Sequence, residues 1–340
     1  MFWVYPLWWN HKMSSFLLNK LFPKFGIDLF PPFLEIEPTT VCNFRCKICE
    51  RTYWKEPSES MSFSDFKKVF DDFGRPKWIG LTGIGSGYLN KDYHKMMAYI
   101  KSRGTIIEIF DHFGNFRDDN QIKELIEIGP DFQFVSIYGG TKKTSEYICK
   151  GSNFDNVVKN IKTFVRLKKQ MKKRFPILSF HFIVTKQSKD ELFGFVDFIA
   201  SLNTEVGEVL ITPLLHGFKH AKGFQVKVDE AYRKKIINYA HSKGLPVTFN
   251  QCSEEEKSDI TNCKQYIMPF VFVGGNVTPC CGQNENNQRT WQHENSLGNA
   301  LKTPFRKIWY SEKYVNLRKQ IRQNKCPKEC ANCPVYVGRG

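Results

Sequence analysis

The sequence predicts an α/β protein built on a parallel sheet, and three observations carry that expectation. Short β-rich runs alternate strictly with helical stretches from residue 33 to about residue 242. Hydrophobic residues make up 41% of the 340 and charged residues 25%, enough apolar content to bury a full core. Thirty phenylalanines notwithstanding, no apolar run reaches the ~18 uncharged residues of a membrane span. The length allows one large α/β domain or two domains and excludes a small disulfide-stapled module.

The expected strands are Phe33–Glu37, Trp78–Thr82, Ile106–Phe110, Phe132–Ile137, Ile177–Val184 and Glu208–Thr212. Between and after them, 3.6-residue apolar periodicity predicts helices over Ser64–Phe73, Tyr93–Ser102, Gln121–Ile128, Asn156–Lys169, Lys189–Ser201 and Asp229–Ser242. Six such units argue for a parallel sheet with right-handed crossovers. A doubly wound sheet and a complete or partial barrel both satisfy the pattern, and both put the site at the C-terminal ends of the strands. Past about Asn250 the alternation stops and Cys, Asn and Gly accumulate. Three regions are therefore expected: an aromatic segment over 1–31, a core over 32–248 and a cysteine-rich region over 249–340.

Fifty Lys and Arg against thirty-four Asp and Glu give a net charge of +16, which favours anionic partners without choosing among them. Eight Lys or Arg and no acid lie between Lys159 and Arg174, beside an apolar stripe of Val157, Val158, Ile161, Phe164 and Val165. The stripe reads as core and the basic side as a solvated face, and with no recognised nucleic-acid module nearby, nucleic acid is not an expected partner. The opening run MFWVYPLWW and the stretch around Phe16 and Leu21 fit either packing onto the core or a membrane-interface anchor, and Pro6 and Pro23 favour packing because they keep any helix short. A signal peptide is not expected, since His11 and Lys12 follow the apolar run instead of preceding it.

The eleven cysteines are odd in number and clustered at short spacings, which points to metal ligation in a reducing, cytoplasmic setting. Directly after the first strand, EPTTVCNFRCKICE places Cys42, Cys46 and Cys49 on one loop in the spacing C-x3-C-x2-C. A structural zinc would need a fourth ligand, for which Glu50 is the nearby candidate. Three ligands offered to a four-iron cube leave one iron open, the arrangement needed to bind and reduce something.

With these residues in a chain of six β/α units, the sequence resembles the radical S-adenosylmethionine (SAM) superfamily. The resemblance implies a partial (β/α)6 TIM-like barrel, open at one side. It implies that Cys42, Cys46 and Cys49 hold a [4Fe-4S] cluster whose open iron chelates SAM. Reductive cleavage of SAM then yields a 5′-deoxyadenosyl radical that abstracts hydrogen, with flavodoxin or ferredoxin as the electron donor. Thr82, Gly83 and Gly85 stand where relatives carry a Gly-Gly-Glu-Pro-like stretch around the SAM amino group, without its acid. Ser136 matches a polar residue near SAM, with Tyr138 in place of the next acid. Cys149 occupies the place of an arginine that pairs with the SAM carboxylate, so Lys150 becomes the candidate.

The second cysteine field comprises Cys263, Cys280 and Cys281, followed by Cys326, Cys330 and Cys333 in CPKECANC. Between them lie a turn and an amphipathic helix whose core face is Ile308, Trp309, Tyr314 and Leu317. The thiol spacing by itself admits zinc as well as Fe-S. C-x11-G-x4-C with the terminal C-x2-C is similar to the SPASM or shorter twitch extension of radical SAM proteins. That resemblance implies one auxiliary [4Fe-4S] cluster on Cys263, Cys280, Cys330 and Cys333, with Cys281 and Cys326 as the competing ligands. Cys149 and Cys252 read as free thiols. The expected function is radical modification of a peptide or protein. Small-molecule or lipid-precursor chemistry, or a silent Fe-S or zinc scaffold, are the alternatives.

Overall fold

The computed structural model describes residues 16, 17, 21, 28–215, 218–250, 257–283 and 287–339. Cys252 and nearly all of the aromatic segment, including the proposed membrane-facing run, lie outside the described residues. All six expected strands form: β1 (Phe33–Ile36), β2 (Trp78–Leu81), β3 (Ile106–Asp111), β4 (Phe132–Ile137), β5 (Ile177–Val184) and β6 (Val206–Pro213). They pair in parallel in that spatial order. The helices that follow are α1 (Phe63–Phe73), α2 (Tyr93–Ser102), α3 (Asp119–Ile128), α4 (Phe154–Gln170), α5 (Leu192–Ser201) and α6 (Glu230–Ser242). The chain is thus a β/α barrel open at its side, with the helices outside.

Local chemistry sets the helix ends. The Ser62 hydroxyl accepts the Asp65 amide at the start of α1, and Asp118 accepts the Asn120 and Gln121 amides at the start of α3. Gly74 and Gly129 close these helices at φ +84° and +62°, a conformation that costs a side-chain-bearing residue. The apolar stripe of α4 is buried at Val157, Ile161, Phe164 and Leu167, while its basic face pairs outward, Arg166 with Asp119 at 2.7 Å.

Two additions to the sheet had no clear sequence signal. A seventh parallel strand, β7 (Val247–Phe249), follows α6 and pairs with β6. On the opposite edge β8 (Phe270–Val271) pairs in parallel with β1, and β9 (Asn276–Thr278) and β10 (Gly298–Asn299) extend the sheet antiparallel. The cysteine-rich region therefore shares a continuous ten-stranded sheet with the barrel. Strands of two or three residues carry no periodicity, which is why the sequence did not announce them.

The main core lies between sheet and helices, with Phe66, Phe70, Phe164, Phe180, Phe182 and Phe195 fully buried. A small second cluster, Phe132, Phe134 and Ile177, fills part of the barrel interior. The amphipathic helix expected near residue 310 forms as Phe305–Trp309 followed by α7 (Glu312–Arg322), and all four expected core residues are buried. At the described end of the aromatic segment, the Leu29 carbonyl accepts the Trp309 indole N–H. Asp28 holds Arg318 at 3.1 Å and Arg322 at 2.5 Å, and Phe30 packs on Phe73 and Trp309.

Candidate functional site

The loop from Glu37 to Cys49 leaves the C-terminal end of β1 and is pinned along its length by backbone hydrogen bonds. Thr40 N–H donates to the Glu59 carbonyl at 2.9 Å, and the Arg51 Nε donates to the Thr40 carbonyl at 2.6 Å. Arg45 reaches back to the carbonyls of Cys42 and Phe44 at 2.7 and 2.9 Å, while Thr52 Oγ1 donates to the Cys46 carbonyl at 2.7 Å. A loop held this way fixes where its three thiols sit before anything binds. Burial pushes the Cys42 thiol up to about 11, with Cys46 and Asp111 adding to the shift. Contact with Cys149, then burial, raises the Cys46 thiol well above its usual range.

The β2 loop lies directly against this one. Ser86 N–H donates to the Val41 carbonyl at 2.8 Å, and a Cβ on Gly85 would stand 2.3 Å from the Thr39 carbonyl oxygen. Only glycine permits that approach. Gly83 is equally confined: a Cβ there would fall 2.5 Å from the Glu37 Cγ. Thr82 N–H continues the sheet bonding to the Ile36 carbonyl at 3.2 Å. Thr82, Gly83 and Gly85 thus border the cysteine loop. Ser136 also reaches this end of the barrel, near Tyr138, whose hydroxyl burial and the nearby thiols of Cys46, Cys149 and Cys49 push well above its usual range. Lys150 is exposed, whereas its neighbour Cys149 is buried against Cys46.

Several site residues had no motif to reveal them. Asp111 and His112 close β3, where Ser86 Oγ donates to Asp111 Oδ2 at 2.5 Å and Asn115 donates to Ser86 at 2.6 Å. The His112 ring stacks on Phe44 at 3.8 Å, and burial lowers its pKa despite Asp111 beside it. Deeper in the barrel, register sets Glu35, Gly80 and Glu108 side by side on adjacent strands. Gly80 leaves room for the Glu35 side chain, which a Cβ there would meet at 3.3 Å. Burial, then Glu35 and Glu208, pushes Glu108 up to about 8, and burial raises Glu35 to about 7. Across the interior His181 shares a hydrogen bond with Thr212 at 2.9 Å and is driven down to about 4 by burial. Acids recurring in otherwise apolar strands were the available signal.

The C-terminal thiols come from three separate segments. Cys330 lies within electrostatic reach of Cys280, Cys263, Cys326 and Cys333, and Cys280 within reach of Cys263 and Cys333. The four expected ligands are therefore brought together. Burial pushes Cys263 up to about 11 and raises Cys280 and Cys330 further, so these groups stay protonated as free thiols. Of the competing residues, Cys281 turns to Glu35, whereas Cys326 stays beside Cys330 and Cys333. Cys281 donates to Glu35 from both its amide and its thiol, and the exposed Cys326 donates to the Pro327 and Cys330 carbonyls. A buried ion pair joins the two regions: Arg289 contacts Glu37 Oε2 at 2.5 Å, its guanidinium sandwiched between Trp54 at 4.8 Å and Phe272 at 4.3 Å. Glu37 also accepts the Ile84 and Val273 amides.

Both thiol groups suit an iron-sulfur cluster by donor chemistry, offering soft sulfur ligands in largely buried surroundings. Among the described residues, no three or more His, Cys, Asp or Glu side chains are drawn in around a single metal ion. The ligands of a cube bond to different irons.

Comparison with known proteins bears directly on this arrangement. A family model described as the radical SAM superfamily matches residues 36–199, and one described as an iron-sulfur cluster-binding domain, SPASM, matches residues 248–334. The chain carries a radical SAM domain followed by a SPASM domain. A curated relative, the tungsten-containing aldehyde ferredoxin oxidoreductase cofactor-modifying protein of Pyrococcus furiosus, is 25% identical over 323 residues, covering 89% of this chain and 87% of its own. Among solved structures, Streptococcus suis SuiB bound to precursor peptide SuiA superposes with a TM-score of 0.69 at 16% identity, over 99% of this chain and 80% of that one. SuiB bound to SAM gives 0.68 at 17% identity, over 92% of this chain and 73% of that one. The open β/α barrel is thus that of radical SAM enzymes. With the superfamily come a [4Fe-4S] cluster and SAM, and with the SPASM domain auxiliary Fe-S binding. Among the described residues no helix is long and apolar enough to cross a membrane.

Proposed function

We propose that this radical SAM enzyme holds its SAM-binding [4Fe-4S] cluster on Cys42, Cys46 and Cys49 and one auxiliary cluster on Cys263, Cys280, Cys330 and Cys333. The observation that supports the reading is that Cys42, Cys46 and Cys49 share one loop at the C-terminal end of the barrel, while Cys263, Cys280, Cys330 and Cys333 are gathered from separate segments of the C-terminal region. Only the group of three leaves an iron open for SAM. Bound there, the cluster supplies the electron that cleaves SAM to methionine and a 5′-deoxyadenosyl radical. The chain's own part is to bind and exclude water: Thr82, Gly83, Gly85 and Ser136 border the SAM position, and Phe110, Phe134 and His181 wall the interior below it. Lys150 stays the candidate for the SAM carboxylate, from the exposed side of the loop. A flavodoxin or ferredoxin serves as reductant.

For the substrate we infer a peptide or protein. SuiB, solved with a precursor peptide, supports this by analogy of fold. A small cofactor is the second reading, favoured by the cofactor-modifying role that the Pyrococcus relative is named for. The test is anaerobic incubation with SAM and dithionite, followed by deuterium transfer into 5′-deoxyadenosine from labelled candidates. Label arriving from a peptide supports the first reading, and label arriving from a small cofactor alone replaces it with the second. No 5′-deoxyadenosine from protein with both clusters loaded contradicts the enzyme assignment of these cysteines.

A further inference from the structure

A two-residue antiparallel ribbon ties the cysteine loop to the segment that follows the short helix Lys142–Ile148. Arg45 faces Lys150 in it, and Cys46 faces Cys149. The Lys47 amide donates to the Ile148 carbonyl at 2.8 Å, which makes 47 and 148 a hydrogen-bonded pair. The alternation of an antiparallel ladder then makes Cys46 and Cys149 a non-hydrogen-bonded pair, the position where facing side chains stand closest, with Cα atoms about 4.5 Å apart. The two side chains therefore face each other across the ribbon, near enough for Cys149 to raise the Cys46 thiol. Cys149 is 5% exposed and packs in a cluster of Phe44, Ile48, Ile148 and Leu214, against which Cys46 and Tyr138 also pack.

We propose that Cys149 is a positioning residue for the catalytic cluster: its S–H donates to the Cys46 sulfur and so favours the reduced, more negative cluster. The inference rests on the reading that Cys42, Cys46 and Cys49 hold that cluster. Once bonded to iron, Cys46 has no S–H left to give, so within this pair the S–H of Cys149 is the group that can donate. Hydrogen bonds to cluster sulfurs are among the levers that set reduction potential. Lys150 is not placed to do this, since it lies on the other face of the ribbon, exposed.

The test is an EPR-monitored redox titration of the loaded full-length protein, following the cluster whose signal changes when SAM is added. C149A is expected to shift its reduction equilibrium toward the oxidised form by up to tenfold, about 59 mV for one electron. C149S, which retains a donor, is expected to stay within about threefold of wild type on the same scale. An unchanged equilibrium in C149A, or equal shifts in both variants, overturns the proposal. A second readout needs no cluster. In metal-free protein, diamide takes two electrons and two protons from a pair of thiols as their S–S bond forms, and a peptide map should show Cys46 joined to Cys149. Cys46 joined to Cys42 or Cys49, or left unlinked, removes the contact on which the inference depends. Should C149A fail to take up iron, C149S and this map decide the matter. If C42A/C46A/C49A still holds the SAM-responsive cluster, the ligand reading is what fails; if it does not and C149A titrates like wild type, only the hydrogen bond fails.

Discussion

The two thiol groups of this protein are built in opposite ways. Cys42, Cys46 and Cys49 fall within eight residues, on a loop whose backbone is tied to Thr52, Glu59 and the Gly85 turn. Cys263, Cys280, Cys330 and Cys333 span seventy-one residues, and only tertiary packing around Tyr314, Leu317 and Trp309 assembles them. A local site can exchange its contents without unfolding its surroundings, as an open iron that must admit SAM requires. A site assembled from distant segments fuses metal binding with folding. On the proposed ligation, the difference gives chemistry to the first group and cross-linking of the C-terminal region to the second.

The comparison can be broken most severely at the loop. C42A/C46A/C49A is expected to abolish 5′-deoxyadenosine formation while leaving the thermal midpoint close to that of wild type, measured by product chromatography and calorimetry. A large drop in the midpoint would mean that the loop, too, is a structural staple.

At the second group, C280A is expected to lose about four of eight irons and to melt several degrees lower, because cluster binding there is part of folding. C281A should keep its iron, since that thiol is committed to Glu35. Iron analysis and calorimetry on the pair would expose an exchange of roles between the adjacent cysteines.

The join between the regions comes next. R289M leaves Glu37 buried without its cation, which should cost about 3 to 5 kcal/mol in urea unfolding. E37Q/R289M should cost less than the sum of the single changes, as expected of residues in direct contact. Additive losses would show that the pair does not couple β1 to the C-terminal region.

The smallest effect is a pH dependence. Glu108 stays protonated in the fold up to about pH 8, whereas an unfolded glutamate ionises near its ordinary value, 4.5. The folded state then holds the extra proton, so its stability is greatest at low pH and falls as pH rises toward 8, by up to about 1.4 kcal/mol per pH unit. E108Q should flatten that decline between pH 5 and 8 in denaturant titrations. An unaltered slope would remove Glu108 as its source.

Much of this was legible in the sequence because the relevant signals are local. β4, β5 and α2 were expected at the bounds they have, since each carries several periods of its own pattern. The cysteine spacing and the Gly83 and Gly85 positions were visible for the same reason. What escaped reading depends on residues far apart in the chain. Glu37 and Arg289 are separated by 252 positions, and neither carries a motif. Cys149 read as a free thiol because only the ribbon register brings it to Cys46. β8 contributes just two residues to the edge of β1, too few for any alternation to show.

The central claim, two clusters on two differently built thiol groups, is tested most directly by counting iron in anaerobically reconstituted wild type beside C42A/C46A/C49A. About eight irons per chain in the first and about four in the second are expected from three-plus-four ligation. About four in wild type, or an unchanged count in the variant, would contradict it.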